Sequence, residues 1–169
     1  MKKTKKGRII LKIPRSRLEI IIEVVAVLGL VAHALLLLHY WAVLPEVIPT
    51  HFNFAGEADG WGNRNSLFFL LAVNIGLYLM ITIFNFFPHI FNYVVEITAK
   101  NAREQYYNAR LMMNFMKAEI AWLFAYIEWG TVQSALGNAA GLDQRIIVGF
   151  LIAIAISMLY FIWKSMSSG

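Results

Sequence analysis

Four apolar stretches constrain this chain more than any other feature of its sequence. They cover about residues 18–43, 67–87, 111–129 and 146–163. Each is close to the roughly 20 residues that a helix needs to cross the hydrocarbon core of a bilayer. The chain is 59% hydrophobic and only 15% charged, whereas soluble domains carry about 25% charged residues. We therefore predict an all-α fold, an integral membrane bundle of four transmembrane helices.

These stretches define the expected organisation of the 169-residue chain. Residues 1–17 form a basic N-terminus, residues 18–163 a single transmembrane domain, and residues 164–169 a short tail. A cleaved signal peptide is the alternative for the first stretch, because Ala32-His33-Ala34 has the A-x-A form. The apolar run continues through Leu38, beyond that position, and cleavage normally follows the end of the apolar region. The sequence favours an uncleaved helix.

Basic residues predict the orientation. Of the 15 Lys and Arg residues, eight lie within the first seventeen positions, and no acid interrupts them. Basic loops stay in the cytoplasm, and such a cluster also suits anionic lipid headgroups. We expect both termini in the cytoplasm of a cell-membrane protein that crosses the bilayer several times. Nucleic acid is not an expected partner, because this cluster runs directly into an apolar helix.

The third apolar stretch is the weakest, because Lys117 and Glu119 lie inside it. The preceding segment, residues 97–110, reads as a cytoplasmic helix with Thr98 as its N-cap. We expect this helix to continue into the third stretch, which would make it unusually long. Lys117 is expected near the inner boundary, with its ammonium group extended towards the headgroups.

The connection between the first two stretches, residues 44–66, is the most informative segment. Pro45 and Pro49 fix the backbone, whereas three glycines permit tight turns. Polar and aromatic side chains are interspersed among them. These features predict an ordered extracytoplasmic loop that packs onto the mouth of the bundle. Its candidate ligand-binding or loop-stabilising residues are His51, Asn53, Glu57, Asp59, Trp61 and Arg64.

This loop resembles the signature of a bacterial membrane family, domain of unknown function 1648. The matching residues are Leu44, Pro45, Ile48, Pro49, His51, Phe52, Gly56, Asp59, Gly60 and Gly62. A second family feature before the third helix is matched by Ile97, Thr98, Asn101, Gln105 and Tyr106. Many members have a basic residue where this chain has Asn63, and Arg64 follows one place later. The resemblance covers about residues 26–123.

The resemblance implies a multi-helix membrane protein and supplies no established reaction. The family also provides the N-terminal part of the SdpI-type immunity proteins. The longer C-terminal part of those proteins is not recognisable in this sequence. The resemblance therefore suggests an immunity-type role without establishing one.

Two interpretations of the loop's polar residues stay open. His51, Glu57 and Asp59 offer imidazole and carboxylate ligands for a divalent metal such as zinc. Their spacing matches no recognised ligand pattern, so we expect no cofactor. The simpler interpretation is structural: Asp59 and Asn53 bond the backbone in turns, and His51 bonds across the loop and ties it to the helices.

Polar residues also recur on one side of each apolar stretch, at helical spacing. The set expected in the bundle interior is His33, Asn74, Tyr78, Lys117 and Glu128. His33 lies deepest, and we expect it to be neutral and hydrogen-bonded to Asn74 or Tyr78. A proton or ligand site at His33 is the alternative, because ionisable groups within membranes often serve function. On the fourth stretch, Gly149, Ala153, Ser157 and Tyr160 are expected to face inward.

The sequence favours a non-enzymatic protein that binds a ligand or partner through its extracytoplasmic loop. It contains no nucleophile elbow, zinc-protease motif, P-loop or dinucleotide-binding loop. A peptide or protein at the loop is the expected partner, beside the lipid bilayer itself. A homo-oligomer is possible through the small residues of the fourth stretch. The alternative function is a small metal-dependent membrane enzyme or a transporter that uses His33, His51 and Asp59.

Overall fold

The computed structural model describes residues 8–168 and is mostly helical. Its helices are α1 (Arg17–Tyr40), α2 (Ser66–Asn85), α3 (Ala102–Ala135) and α4 (Gln144–Ser167), with a 3-10 turn at Pro88–Ile90. Strands β1 (Val47–Phe52) and β2 (Ala58–Asn63) pair antiparallel between α1 and α2. This two-stranded hairpin is absent from the all-α prediction. The basic residues Lys2, Lys3, Lys5 and Lys6 lie outside the described range.

Three helices are long and apolar enough to cross a membrane, namely α1, α2 and α4. They indicate a membrane protein. Helix α3 is not among them, because its charged and amide side chains interrupt the apolar run. It is nevertheless the centre of the bundle, since α1, α2 and α4 all pack against it.

Helix α3 has 34 residues, which corresponds to about 51 Å at 1.5 Å per residue. The expectation of one unusually long helix is therefore confirmed. It begins after Asn101, however, so Thr98 is not its N-cap. Thr98 and Asn101 instead bond each other: the Thr98 N–H donates to Asn101 Oδ1 (2.8 Å), and the Asn101 N–H to Thr98 Oγ1 (3.3 Å).

Interhelical contacts define the directions of the helices. Glu19 and His33 on α1 meet Arg110 and Glu128 on α3, respectively, so α1 and α3 run in the same direction. Asn85 and Asn74 on α2 meet Asn114 and Ala121 on α3 in the reverse order. Helix α4 also runs against α3. The inner end is defined here as the end where α1 begins, and the outer end as the end that carries the hairpin.

Two apolar clusters hold the bundle together. The inner cluster consists of Ile22, Ala26, Leu111, Ala118 and Phe161, and the outer cluster of Leu37, Leu44, Ile48, Leu67 and Val132. Between them α1 and α3 approach closely at Gly29, where an added Cβ would lie 3.1 Å from Ala121 Cβ. The outer cluster joins hairpin residue Ile48 to the helices.

The prediction for the face of α4 is wrong for three of its four residues. Gly149, Ala153 and Tyr160 are exposed, and an added Cβ at Gly149 would meet nothing within 4 Å. Ser157 does face inward, because its Oγ donates to Glu119 on α3, on the same side of α4 as Phe161 and Ser165. Gly149 and Ala153 face outward because α4 lies at the edge of the bundle, where α3 provides its contacts.

Candidate functional site: the outer hairpin and the polar column

The turn of the hairpin is built around Asn53. Its Oδ1 accepts the backbone N–H groups of Ala55 (2.8 Å) and Glu57 (3.0 Å). Gly56 follows with a φ of +79°, a conformation that glycine adopts without strain. The side chain of Asn53 therefore substitutes for backbone partners in the turn, as asparagine commonly does.

Close strand pairing explains two more glycines. An added Cβ at Gly60 would lie 2.8 Å from His51 Cβ, and one at Gly62 would lie 2.9 Å from Thr50 Cγ2. Real Cβ atoms do not approach so closely, so side chains on β1 occupy the space that β2 leaves free. The paired glycines of the loop thus determine the geometry of the strand pair.

The tip of the hairpin is fastened to the connection between α3 and α4. The Leu142 N–H donates to the Gly56 carbonyl oxygen across 2.9 Å, and Glu57 pairs with Gly141 as an isolated antiparallel bridge. An added Cβ at Gly56 would lie only 2.1 Å from Leu142 O. The hairpin tip is therefore in backbone contact with the part of this connection that precedes α4.

Arg64 fastens the other end of the hairpin to α1. Its guanidinium donates to the carbonyl oxygens of Leu44 (2.8 Å) and Trp41 (3.2 Å) and lies 4.6 Å from the centre of the Trp41 indole. Asn63 stabilises the turn that precedes α2, because its Oδ1 accepts a hydrogen bond from the Asn65 N–H. The basic residue at position 64 is thus structural.

The outward side of the hairpin is polar and aromatic. His51 Nδ1 lies 2.5 Å from Asp59 Oδ1, and both side chains are largely exposed. Phe54 is 99% exposed and Trp61 is 62% exposed. Ile48 and Pro49, by contrast, are buried against the bundle. The hairpin therefore presents a surface that its own fold does not cover.

The predicted metal-ligand set does not converge. His51 and Asp59 bond each other, whereas the Glu57 carboxylate accepts from Asn53 Nδ2 at 3.1 Å. Within residues 8–168 no group of three or more His, Asp or Glu side chains is arranged to hold a metal ion.

A column of polar side chains runs through the bundle interior, with His33, Asn74 and Glu128 at its outer end. All three are completely buried. Asn74 Nδ2 donates to His33 Nδ1 (2.9 Å) and to Ala121 O (3.3 Å). The other ring nitrogen, Nε2, contacts the Glu128 carboxylate. The contact between His33 and Asn74 is one of the two pairings that the sequence suggested, and Glu128 adds a partner.

The middle of the column is an ion pair between α1 and α3. Lys117 Nζ lies 2.6 Å from Glu23 Oε2 and donates to Thr82 Oγ1 at 3.0 Å, and the Tyr78 hydroxyl bonds Glu23. Only 1% of the Lys117 side chain is exposed. The prediction that Lys117 extends to the headgroups is therefore wrong, because Glu23 provides an ionic partner inside the bundle.

The inner end of the column opens into a cavity of about 410 Å³. Asn85 and Asn114 bond each other across 2.5 Å in its wall, and Glu19 pairs with Arg110 at 2.8 Å. Glu19 also closes the capping box that begins α1 at Ser16. Glu23 and Arg110 are not among the predicted site residues, although both recur at helical spacing with residues that are.

The residues Thr98, Asn101, Gln105 and Tyr106, predicted as a cytoplasmic motif, make structural contacts. Gln105 Nε2 donates to the Ser165 carbonyl oxygen at 2.9 Å, and the Tyr106 hydroxyl donates to Ile9 O at 3.0 Å. Asn101 Nδ2 donates to Glu96 O. These bonds tie the start of α3 to the end of α4 and to the N-terminal segment.

The hairpin and the column are two distinct sites. The pair His51–Asp59 lies on the outer surface, whereas His33 lies inside the bundle and contacts Asn74 and Glu128. The outer apolar cluster lies between the two sites, where Ile48 of the hairpin packs with Leu37 of α1 and Val132 of α3. His33, His51 and Asp59 therefore do not form one catalytic centre.

The part of the chain that contains the hairpin matches one known protein family. Residues 28–75 match the family described as "Domain of unknown function (DUF1648)". These residues belong to the DUF1648 family. The DUF1648 segment comprises the outer half of α1, the whole hairpin and the first half of α2, and includes His33 and Asn74. Neither a curated protein nor a solved structure matches the chain.

Proposed function

We propose that this chain is a bacterial cell-membrane protein of four spans whose hairpin binds an extracytoplasmic peptide or protein without catalysis. The supporting observation is a hairpin fixed at both ends that leaves Phe54 and Trp61 exposed. Aromatic side chains are enriched in protein interfaces and dominate their binding energy. A rigid loop also loses little conformational entropy when a partner binds.

The fourth span in this proposal is α3. Its buried polar groups face α1 and α2, with which they bond, and α4 covers another side. Polar groups within a membrane are tolerated when they face the bundle interior and pair there. Basic residues at the inner end, including Lys12, Arg15 and Arg17, support cytoplasmic termini and a hairpin on the opposite side.

The immunity or envelope-stress type of function rests on the DUF1648 resemblance and on the position of the hairpin. In this proposal the hairpin intercepts a peptide that would otherwise damage the membrane. His51 and Asp59 supply a hydrogen-bonding pair beside the aromatic residues. No step of this function requires a covalent reaction.

The test is a protection assay in cells that express the full chain and are challenged with membrane-active peptides secreted by competing bacteria. We expect protection by the parent and its loss in Trp61→Ala and in His51→Ala, with equal amounts of each protein in the membrane. Trp163→Ala is the matched control, because Trp163 is 64% exposed and lies near the inner end of α4, at the opposite end of the bundle from the hairpin. Hairpin variants that protect as well as the parent would contradict the proposal.

A transporter is the second candidate, and the polar column with its inner cavity favours it. A metal-dependent membrane enzyme belongs to the same alternative. Metal analysis of the purified full chain distinguishes that form, because it requires a stoichiometric transition metal. Transport without a metal would require the interior column to bind or move a charged species.

A further inference from the structure

The hydrogen atoms around His33 can be assigned from its partners. Asn74 Nδ2 donates to Nδ1 of the imidazole and uses its second hydrogen on Ala121 O. Nδ1 is therefore an acceptor, and a neutral imidazole then carries its proton on Nε2. The Nε2 atom contacts the Glu128 carboxylate. In this arrangement the imidazole is neutral. An ionised Glu128 then gives the buried cluster of His33, Asn74 and Glu128 one net negative charge.

This negative charge has no compensating cation in the cluster. Glu128 is 0% exposed, and its Oε1 has no hydrogen-bond partner among residues 8–168. The ionisable groups further along the column are Lys117 from α3, Tyr78 from α2 and Glu23 from α1. Lys117 is paired with Glu23. An uncompensated buried charge is expensive, and more so in a membrane.

The surroundings of the cluster differ at its two ends. Towards the outside, Leu37, Ile48 and Val132 form an apolar barrier beneath the hairpin. Towards the inside, Tyr78 lies one turn from Asn74 on α2 and bonds Glu23, which lines the inner cavity. Polar groups thus extend from the cavity towards His33, and the route to the outer surface is closed by apolar side chains.

We propose that Glu128, held by His33 and Asn74, is a proton-binding site inside the membrane that is loaded from the inner cavity through Glu23, Lys117 and Tyr78. A hydronium ion at the cavity provides the proton, which adds to the free Oε1 of the carboxylate, and water is released. The product is a neutral carboxyl group beside a neutral imidazole. The proposal does not depend on the identity of the hairpin's partner.

Infrared spectroscopy of the full chain in lipid bilayers tests the binding site directly. The wild-type protein should show the carbonyl stretch of a protonated carboxyl group, which disappears reversibly as the pH rises. Glu128→Gln should remove this band, whereas Glu104→Gln should leave it. Glu104 is the control, since it is an exposed carboxylate near the start of the same helix. His33→Asn should change the proton affinity at least about tenfold, the size expected when a direct partner is lost.

The loading route has a separate measurement. After a pH jump on the inner side of vesicles, the Glu128 band should form about tenfold more slowly in Glu23→Gln than in the parent. Asp143→Asn, on the exposed connection before α4, should leave the rate unchanged. A wild-type protein without a titrating carboxyl band would overturn the proposal, as would a band that persists in Glu128→Gln. A normal band in Trp61→Ala would show that proton binding and hairpin binding are independent.

Discussion

The Leu142 backbone N–H donates to the Gly56 carbonyl oxygen across 2.9 Å, so the tip of the hairpin is joined to the connection between α3 and α4. The two segments are far apart in sequence. Their contact makes the hairpin a fixed part of the outer surface, because Arg64 already holds its other end. The proposed binding function depends on a rigid hairpin, and two contacts hold it: the Gly56–Leu142 bond at the tip and Arg64 at the base.

Gly56→Ala should release the hairpin tip. The new Cβ would lie 2.1 Å from Leu142 O, and the φ of +79° disfavours any side chain. We expect a loss of about 1–3 kcal/mol, typical of a strained backbone substitution, and faster amide exchange in residues 53–60. Two controls separate the causes: Gly137→Ala has a positive φ without a clash, and Gly76→Ala has neither. Unchanged exchange in Gly56→Ala would contradict this account.

Arg64→Lys should weaken the base of the hairpin although the charge is kept. A lysine can replace neither the paired donation to Trp41 O and Leu44 O nor the stacking on the Trp41 ring. We expect a loss of about 1.5–3 kcal/mol, the size of one charged hydrogen bond, in thermal unfolding in detergent. Arg145→Lys is the control, because Arg145 is exposed and bonds Asp143. Equal losses in both variants would argue against a special role for Arg64.

Removing one member of the interior ion pair should cost more than removing both. Lys117→Met leaves the half-buried Glu23 carboxylate with Tyr78 and the cavity residue Arg15 to stabilise it. We expect a loss below the roughly 3–5 kcal/mol that breaking a fully buried pair costs. The double variant Lys117→Met with Glu23→Gln should recover much of this loss, because the orphaned charge is gone. A double-mutant cycle on unfolding in detergent measures the coupling. Additive losses would show that the two side chains do not act as a pair.

The pair His51–Asp59 should contribute little to stability. Both side chains are largely exposed, and exposed ion pairs contribute about 0–1 kcal/mol. His51→Ala and Asp59→Ala should therefore unfold within about 1 kcal/mol of the parent, as measured by circular dichroism during heating. A larger loss would mean that any effect of these variants on protection reflects folding rather than binding.

The sequence predicted the features that depend on local pattern. The apolar stretches gave the approximate positions of the helices, and the charged segment before the third stretch gave the length of α3. Prolines and glycines in residues 44–66 predicted an ordered loop. Its strands were not predicted, because β1 contains Pro49 and β2 contains Gly60 and Gly62, which normally weaken strands. Pairing with a specific partner strand outweighs these preferences here.

The pairings across helices were not accessible from the sequence. Helical spacing places Lys117 and Glu128 on one side of α3, but it does not reveal which helix lies opposite. The contact between Glu23 and Lys117 depends on α1 and α3 running in the same direction at close distance. The exposed face of α4 has the same explanation, since small residues suit close packing only where a neighbour exists.

The most direct test of the account is the sidedness of three positions. The chain has no cysteine, so single substitutions can be labelled without changing the background. We predict that a membrane-impermeant maleimide labels Thr50→Cys on the hairpin and Asn138→Cys after α3 in intact cells. Lys100→Cys, before α3, should be labelled only after the membrane is opened. Labelling of Lys100→Cys in intact cells, or protection of Asn138→Cys, would contradict a four-span protein with its hairpin outside.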